Sequence, residues 1–389
     1  MDIPTAELFG LDPAVVHLDH GAFGAVPVRV RETQRRWQRA ADRNPHRFHL
    51  RVLPALVADA RSRAAHFLGV DEDDTALITN ATEALSIVLA AQDMQPGGEI
   101  IVSNHGYGAV RLAAERIAAR TGSRVFTAEF PVGASDDTVV AAYTSHMSPR
   151  TRLVVVDQIT SPTATVLPVE RIANASSAPV LVDAAHAPGT LDVDIASLGA
   201  DYWVGDLHKW AYAARGTAVL WTSPGAPVPS PIVLGWSLLN EPRRRLDEAG
   251  TRDLSSWLAL GDGLDLWHEL GGWGRVAEMS GVVERGRRLL SAAWNTEEAQ
   301  LPFAPAPTMR LVQLPEAAVS SDEDVDRLID VLSESYAIEC APKWFGGRGY
   351  VRLAAGPYTT VADFEWLADA LPRALGRTAR RSAHSVAPG

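Results

Sequence analysis

"VLVDAAHAPGTLDVDIASLGADYWVGDLHKW", residues 180–210, contains two short apolar runs, "VLV" and "YWV", each followed within two residues by an aspartate, Asp183 and Asp206. Lys209 comes just after, between a histidine and a tryptophan. Runs this short, apolar at consecutive positions and bounded by Gly, Pro and small residues, read as strands covered on both faces. The pattern continues outward on either side, in "TALIT" (75–79), "GEIIVSN" (98–104), "SRVFTAEF" (123–130), "TRLVVVDQIT" (151–160) and "GTAVLWTS" (216–223). Between them lie helical segments, among them "LVADARSRAAHFLGV", stopped by Gly69, and "GAVRLAAERIAARTG", stopped by Gly122. Buried strands alternating with helices predict a mostly parallel sheet with helices on both faces. Ligands collect at the carboxyl ends of such strands, where this chain carries Thr82, His105, Thr160, Asp183 and Lys209.

The rest of the chain bounds what such a site could serve. With 389 residues, 47% hydrophobic and 21% charged, the composition is that of a globular protein with a sizeable core. A net charge of −11 argues against nucleic acid as a partner. One cysteine excludes an internal disulfide framework. No signal peptide, membrane span or metal site is expected, and a cytoplasmic location is. After residue 222 comes a Pro-rich connection, "SPGAPVPSP", then the Trp-rich "SSWLALGDGLDLWHELGGW". From about residue 275 the pattern reads helix, strand, helix, strand, strand, helix, an α+β arrangement. The expected division is an N-terminal arm over 1–25, a large domain over 26–255, a small C-terminal domain over 256–375 and a disordered basic tail over 376–389.

A strand-end aspartate followed by a strand-end lysine 26 residues later (183 to 209) meets a particular chemical need. Pyridoxal phosphate (PLP) requires a lysine amine for its aldehyde and a carboxylate that keeps its pyridine nitrogen protonated. Spacing alone also allows Asp183 as a helix cap and Lys209 as a solvated charge.

The pair resembles the aspartate and lysine of the class V aminotransferase family. The resemblance covers most of the chain and is nearest to its isopenicillin N epimerase-like and cysteine desulfurase-like branches. "VVHLDHGAFGAVPVRV", "DRNPHRFHLR", "NHGYGAVR", "DQITSPTATVLPV", "VDAAHAPG", "GDLHKW" and "GTRDLSSWLAL" match the family's blocks in order. It implies PLP fold type I, with a seven-stranded, mostly parallel sheet in the large domain. It implies Lys209 as the PLP-binding lysine and base, Asp183 on the pyridine nitrogen and His186 on the phenolic oxygen. His105 would stack on the ring, with Tyr107 nearby. Ala81, Thr82, Glu83 and His208 would hold the phosphate, with Thr160 also at the cofactor. Thr251 would reach across a homodimer interface. Arg352, in "GYVRLAAGPYTT", would bind the substrate carboxylate, and Arg47 and His20 would lie toward the substrate.

Three departures stand out. Asp19 and Ala22 replace the usual Asn and Ser of the opening block, and Asp206 stands where Asn or Ser is common. A carboxylate beside a phosphate dianion is unfavourable unless compensated. Cys340, in "YAIECAPKW", reads as core and not as a desulfurase nucleophile. The expected activity is PLP-dependent chemistry at the α-carbon of an amino acid in specialised, antibiotic-type metabolism. A cysteine S-conjugate is favoured, processed by β-elimination or by decarboxylation-coupled oxidation to an aldehyde. The alternatives are an isopenicillin N-type epimerase and a non-catalytic relative that keeps the fold.

Overall fold

The computed structural model describes residues 5–247, 250–296 and 301–385. At its centre is a seven-stranded sheet of β1 (Thr75–Ile78), β2 (Glu99–Ser103), β3 (Arg124–Ala128), β4 (Thr151–Asp157), β5 (Val180–Asp183), β6 (Tyr202–Asp206) and β7 (Ala218–Thr222). The order across it is β1-β7-β6-β5-β4-β2-β3. β7 runs antiparallel to both neighbours, and every other pair is parallel. Alternation along the strands divides their residues between two cores. Ile100, Val102, Leu153, Val155 and Leu181 pack on one face. Ile101, Val154, Val156, Val180 and Val182 pack on the other. Covering both faces removes the need for polar alternation, which is why these strands read as continuous apolar runs. Each fully buried Val, Leu or Ile contributes roughly 1.5–3 kcal/mol.

Helix ends follow local chemistry. The Asn80 side chain accepts from the Glu83 N–H and starts the helix Ala81–Ala91. Gly69 and Gly122 adopt left-handed conformations where the helices Leu53–Leu68 and Gly108–Thr121 stop.

A second core is built on a three-stranded antiparallel sheet, in the order Ala341–Phe345, Arg348–Ala354, Met309–Gln313. Helices Trp273–Trp294, Asp322–Tyr336 and Val361–Ser385 belong with it. Their side chains share one cluster with Leu18 of the N-terminal segment. That segment adds a short parallel pairing, Val16 with Ile338 and His17 with Glu339. Trp257, Leu260 and Leu264 pack instead with Val57, Leu77 and Val219 of the large domain. The second core therefore begins with the helix Trp273–Trp294, later than the expected division at residue 256.

The last helix continues through 376–385, where a disordered tail was expected. Its few large apolar residues gave no helical period, yet a basic composition suits a helix C-terminus. The rest of that expected tail, 386–389, lies outside the described residues. No described helix is long and apolar enough to cross a membrane.

Candidate active site

The carboxyl ends of β4, β5 and β6 bring three acids together. Asp157 and Asp183 are register partners on adjacent parallel strands, so both side chains leave the same face. Asp183 is buried, and its Oδ1 accepts from the Ala185 N–H at 3.1 Å. Loss of water raises its carboxyl to about 6, against the pull of the Ala185 N–H and of Lys209. Asp157 is raised well above the carboxylate range by burial and then by Asp183, with the Ser103 hydroxyl 3.5 Å away. The sequence reading missed Asp157. Its signal was available, because "LVVVD" ends as "VLVD" does.

Lys209 lies on the connection from β6 to β7, with its side chain only 12% exposed and its Nζ 3.1 Å from Asp206 Oδ2. The N-terminal arm holds the lysine's main chain in place. The Lys209 carbonyl accepts from His20 Nε2 at 3.1 Å, and His20 Nδ1 meets the Tyr358 hydroxyl at 3.0 Å. Both ring nitrogens are spent, so His20 supports the lysine and does not turn toward the substrate as expected. Burial lowers its pKa to about 4, keeping the ring neutral. Gly24 lies against the same segment at φ 64°, where a Cβ would stand 2.1 Å from the His208 carbonyl oxygen. Only glycine permits that approach.

The start of the helix Ala81–Ala91 was expected to offer three free N–H groups. Two are taken: Asp206 Oδ1 accepts from Ala81 at 2.8 Å, and the Asn80 side chain accepts from Glu83 at 2.9 Å. The Glu83 carboxylate turns back to the Thr79 N–H at 3.1 Å and lies 3.8 Å from Arg252. Ala81 and Glu83 are thus committed within the protein, and the Thr82 N–H and hydroxyl remain for a ligand. His208 Nδ1 donates to the Thr217 carbonyl at 3.0 Å, leaving Nε2 3.8 Å from Asp206 Oδ2. Burial lowers the His208 pKa, and Asp206 offsets part of that.

Two further expectations change. His105 binds the Thr163 hydroxyl at 2.7 Å and the Phe130 carbonyl at 2.9 Å. Its ring is stacked 4.2 Å from that of Phe130 with 4° between the planes, and Phe345 lies at 4.5 Å. Phe130 thus covers one face of the ring and both nitrogens are bonded, and burial holds its pKa at about 4. Thr160 is fully buried, its hydroxyl shared with Thr163 at 2.7 Å and accepting from the Thr165 N–H at 2.9 Å, so it shapes a turn. Tyr107, by contrast, is partly exposed and lines a small cavity with Ser103, Asp157 and Asp183. Among the residues lining that cavity it is the one aromatic. His186 is buried with its Nδ1 unpartnered, and burial with nearby Lys209 and Arg352 holds the ring neutral.

Arg352 is 3% exposed. One Nη donates to the Ser161 carbonyl at 2.6 Å, and the other to Asp19 Oδ1 at 2.6 Å. Its Nε is buried without a partner. Arg352 thus joins the small domain, the arm and the loop after β4. Arg47 is exposed on the short helix Pro45–Arg47. The residues after it, Phe48 and His49, line a cleft with Trp37, Thr251 and Asp253. Among the described residues no group of His, Cys, Asp and Glu could hold a metal ion.

The model of the class-V aminotransferase family matches residues 17–279. Isopenicillin N epimerase of Streptomyces clavuligerus is 31% identical, across 94% of this chain and 96% of its own. The isopenicillin N epimerase of Amycolatopsis lactamdurans is 33% identical, also across 94% and 96%. A probable chloroplastic L-cysteine desulfhydrase of Arabidopsis thaliana is 30% identical across 92% and 83%. Among solved structures, a mutant of C-DES with glycine covalently linked to its PLP cofactor matches with a TM-score of 0.78. That match covers 95% of this chain and 99% of the other at 20% identity, a likeness of fold.

Proposed function

The chain belongs to the class-V aminotransferase family of PLP-dependent enzymes, and from that premise we propose that it cleaves the carbon–sulfur bond of a cysteine-derived amino acid. The residues present fit the cofactor. His186 offers a buried, unpartnered ring nitrogen, Asp183 a buried carboxyl and Lys209 a nearly buried amine. In this reading Lys209 would hold the aldehyde carbon until a substrate amine replaces it, Asp183 would hold the pyridine nitrogen and His186 the phenolic oxygen. Thr82 and His208 would hold the phosphate, and Tyr107 would contact the ring. PLP, when bound, supplies an electron sink that acidifies the Cα proton of an attached amino acid.

The protein's own residues then do the rest. Arg352 orients the α-carboxylate through its free Nε edge. Lys209 Nζ takes the Cα proton, the Cβ–S bond breaks, and the sulfur leaves as a thiol after gaining a proton. With water, the overall change is thioether amino acid to thiol, pyruvate and ammonia.

One observation carries elimination over desulfuration to an enzyme-bound persulfide. Cys340, the only cysteine, is packed with Leu18 and Ile338 in the small-domain core. Burial drives its thiol far above the range in which a thiolate forms. The sulfur therefore leaves as a free thiol. Epimerisation is the second reading, supported by identity of 31% and 33% to two isopenicillin N epimerases. It requires proton exchange on both faces of Cα, and the His105 imidazole, expected at the ring, has both nitrogens bonded within the protein.

A homodimer also belongs to this proposal. Thr251 is exposed, and Leu234, Trp236 and Leu239 form an apolar stretch in the same part of the chain, with Trp236 beside Thr251 in one cleft. A second copy covering that stretch would bring Thr251 toward the partner's cofactor. Arg47 would reach a substrate only across the same interface.

The test is to incubate the purified holoprotein with an S-substituted cysteine and assay pyruvate and free thiol together. Equal amounts of both are expected, with Lys209→Ala losing both and the visible band of lysine-bound cofactor. Solvent deuterium at Cα without pyruvate would establish epimerisation instead.

A further inference from the structure

We infer that Asp206 is a resident anion, its carboxylate occupying donors that the cofactor's phosphate would use and so limiting how tightly the chain holds PLP. The inference rests on the PLP reading above. Asp206 ends β6, is 4% exposed, and is fixed by the antiparallel pairing of β6 with β7. Its Oδ1 accepts from the first N–H of the helix Ala81–Ala91 at 2.8 Å. Its Oδ2 lies 3.1 Å from Lys209 Nζ and 3.8 Å from His208 Nε2. One backbone donor, one ammonium and one imidazole thus converge on a charge that belongs to the protein.

The neighbours leave little to compensate a second anion. Asn80 already takes the Glu83 N–H, so Thr82 is the remaining donor of the first turn. His208 has committed its Nδ1–H to the Thr217 carbonyl, so its Nε2 can donate only as the imidazolium. On the other side, Asp183 from β5 is close enough that Asp206 helps to raise its carboxyl. A phosphate entering here meets a fixed carboxylate in a water-poor site, where like charges repel strongly. The same carboxylate lies 3.1 Å from Lys209 Nζ, an ion pair that competes for the nitrogen that would attack an aldehyde.

An asparagine of the same shape keeps an acceptor for the Ala81 N–H and removes both effects. The cofactor is consequently exchangeable in this chain, and neutralising Asp206 makes it less so.

The experiment titrates apoprotein with PLP at one mildly alkaline pH, reading the visible band at equilibrium and the fraction retained after dialysis. Asp206→Asn is expected to bind PLP about tenfold more tightly than wild type, or better. Inorganic phosphate alone should raise the unfolding temperature of Asp206→Asn apoprotein more than that of wild type, which reports on the anion site without lysine chemistry. Asp206→Ser carries the same comparison if the asparagine variant does not fold. Equal or weaker affinity for both PLP and phosphate in a folded variant overturns the inference and leaves the PLP reading intact. PLP binding to neither protein overturns both. Failure of both variants to fold overturns the inference by making the carboxylate structural.

Discussion

The start of the helix Ala81–Ala91 and the guanidinium of Arg352 are both places for an anion, and both are held by an aspartate of the chain itself. They are built differently. The first lies within the large domain, from the end of β6, one helix terminus and the lysine loop. The second is assembled from three distant pieces: Arg352 of the small domain, Asp19 of the arm and Ser161 after β4. The first site is thus built mainly within one packed unit, with the arm only backing its lysine, whereas the second depends on how three units meet. Asp206 occupies an anion site that needs the sheet and the helix Ala81–Ala91 to pack, and Asp19 occupies one that also needs the small domain and the arm.

The sharpest way to break this comparison is Arg352→Ala. It removes the salt-bridge partner of Asp19 and the side-chain tie to Ser161. A loss of about 3 kcal/mol in urea unfolding is expected, because an ion pair broken on one side strands the other charge. A loss below about 1 kcal/mol would mean that Arg352 does not join the segments.

The large-domain site is probed through pH. Asp183 is raised to about 6 in the folded apoprotein by burial. A carboxyl raised above its unfolded value stabilises fully below that unfolded value, and the contribution is lost as pH rises through about 6. Apoprotein stability should therefore fall across that window with a slope of up to about 1.4 kcal/mol per pH unit from this group. Asp183→Asn should flatten the slope, and an unchanged slope in the variant would assign it to other groups.

A subtler change sharpens the contrast. Asp19→Asn keeps a hydrogen-bond acceptor for Arg352 and releases its charge to a ligand. Spectral titration of the holoprotein should show an α-amino acid binding about tenfold more tightly, and an amine lacking the carboxylate unchanged. Equal gains for both ligands would place the effect elsewhere than on the guanidinium.

These two sites also separate what the sequence disclosed from what it withheld. The strands were legible because burial on both faces leaves uninterrupted apolar runs, and Asp183 and Lys209 because each follows such a run. Asp157 was equally visible and passed over, since its partner Asp183 was weighed only against the lysine. His105, His20 and Thr160 were placed at the cofactor or substrate, yet their hydrogen-bonding groups are spent elsewhere. The bonds that commit the two histidines come from residues 25 to 338 positions away. No local spacing encodes such commitments. The Glu83 N–H is committed locally, by Asn80 three positions away, and the Ala81 N–H from afar, by Asp206 at 125 positions, at a helix start that was expected to be open.

The pairing of Val16–His17 with Ile338–Glu339 has a temporal side. During synthesis the large sheet can form while the C-terminal segment is still being made, since domains fold as units. The arm cannot take its place beneath Lys209 until residue 339 has emerged, and closing so long a loop comes late. Over the 130 residues made between Lys209 and Glu339 (209 to 339), the nascent chain therefore holds this lysine without the arm's support, and strands near the C-terminus complete its surroundings.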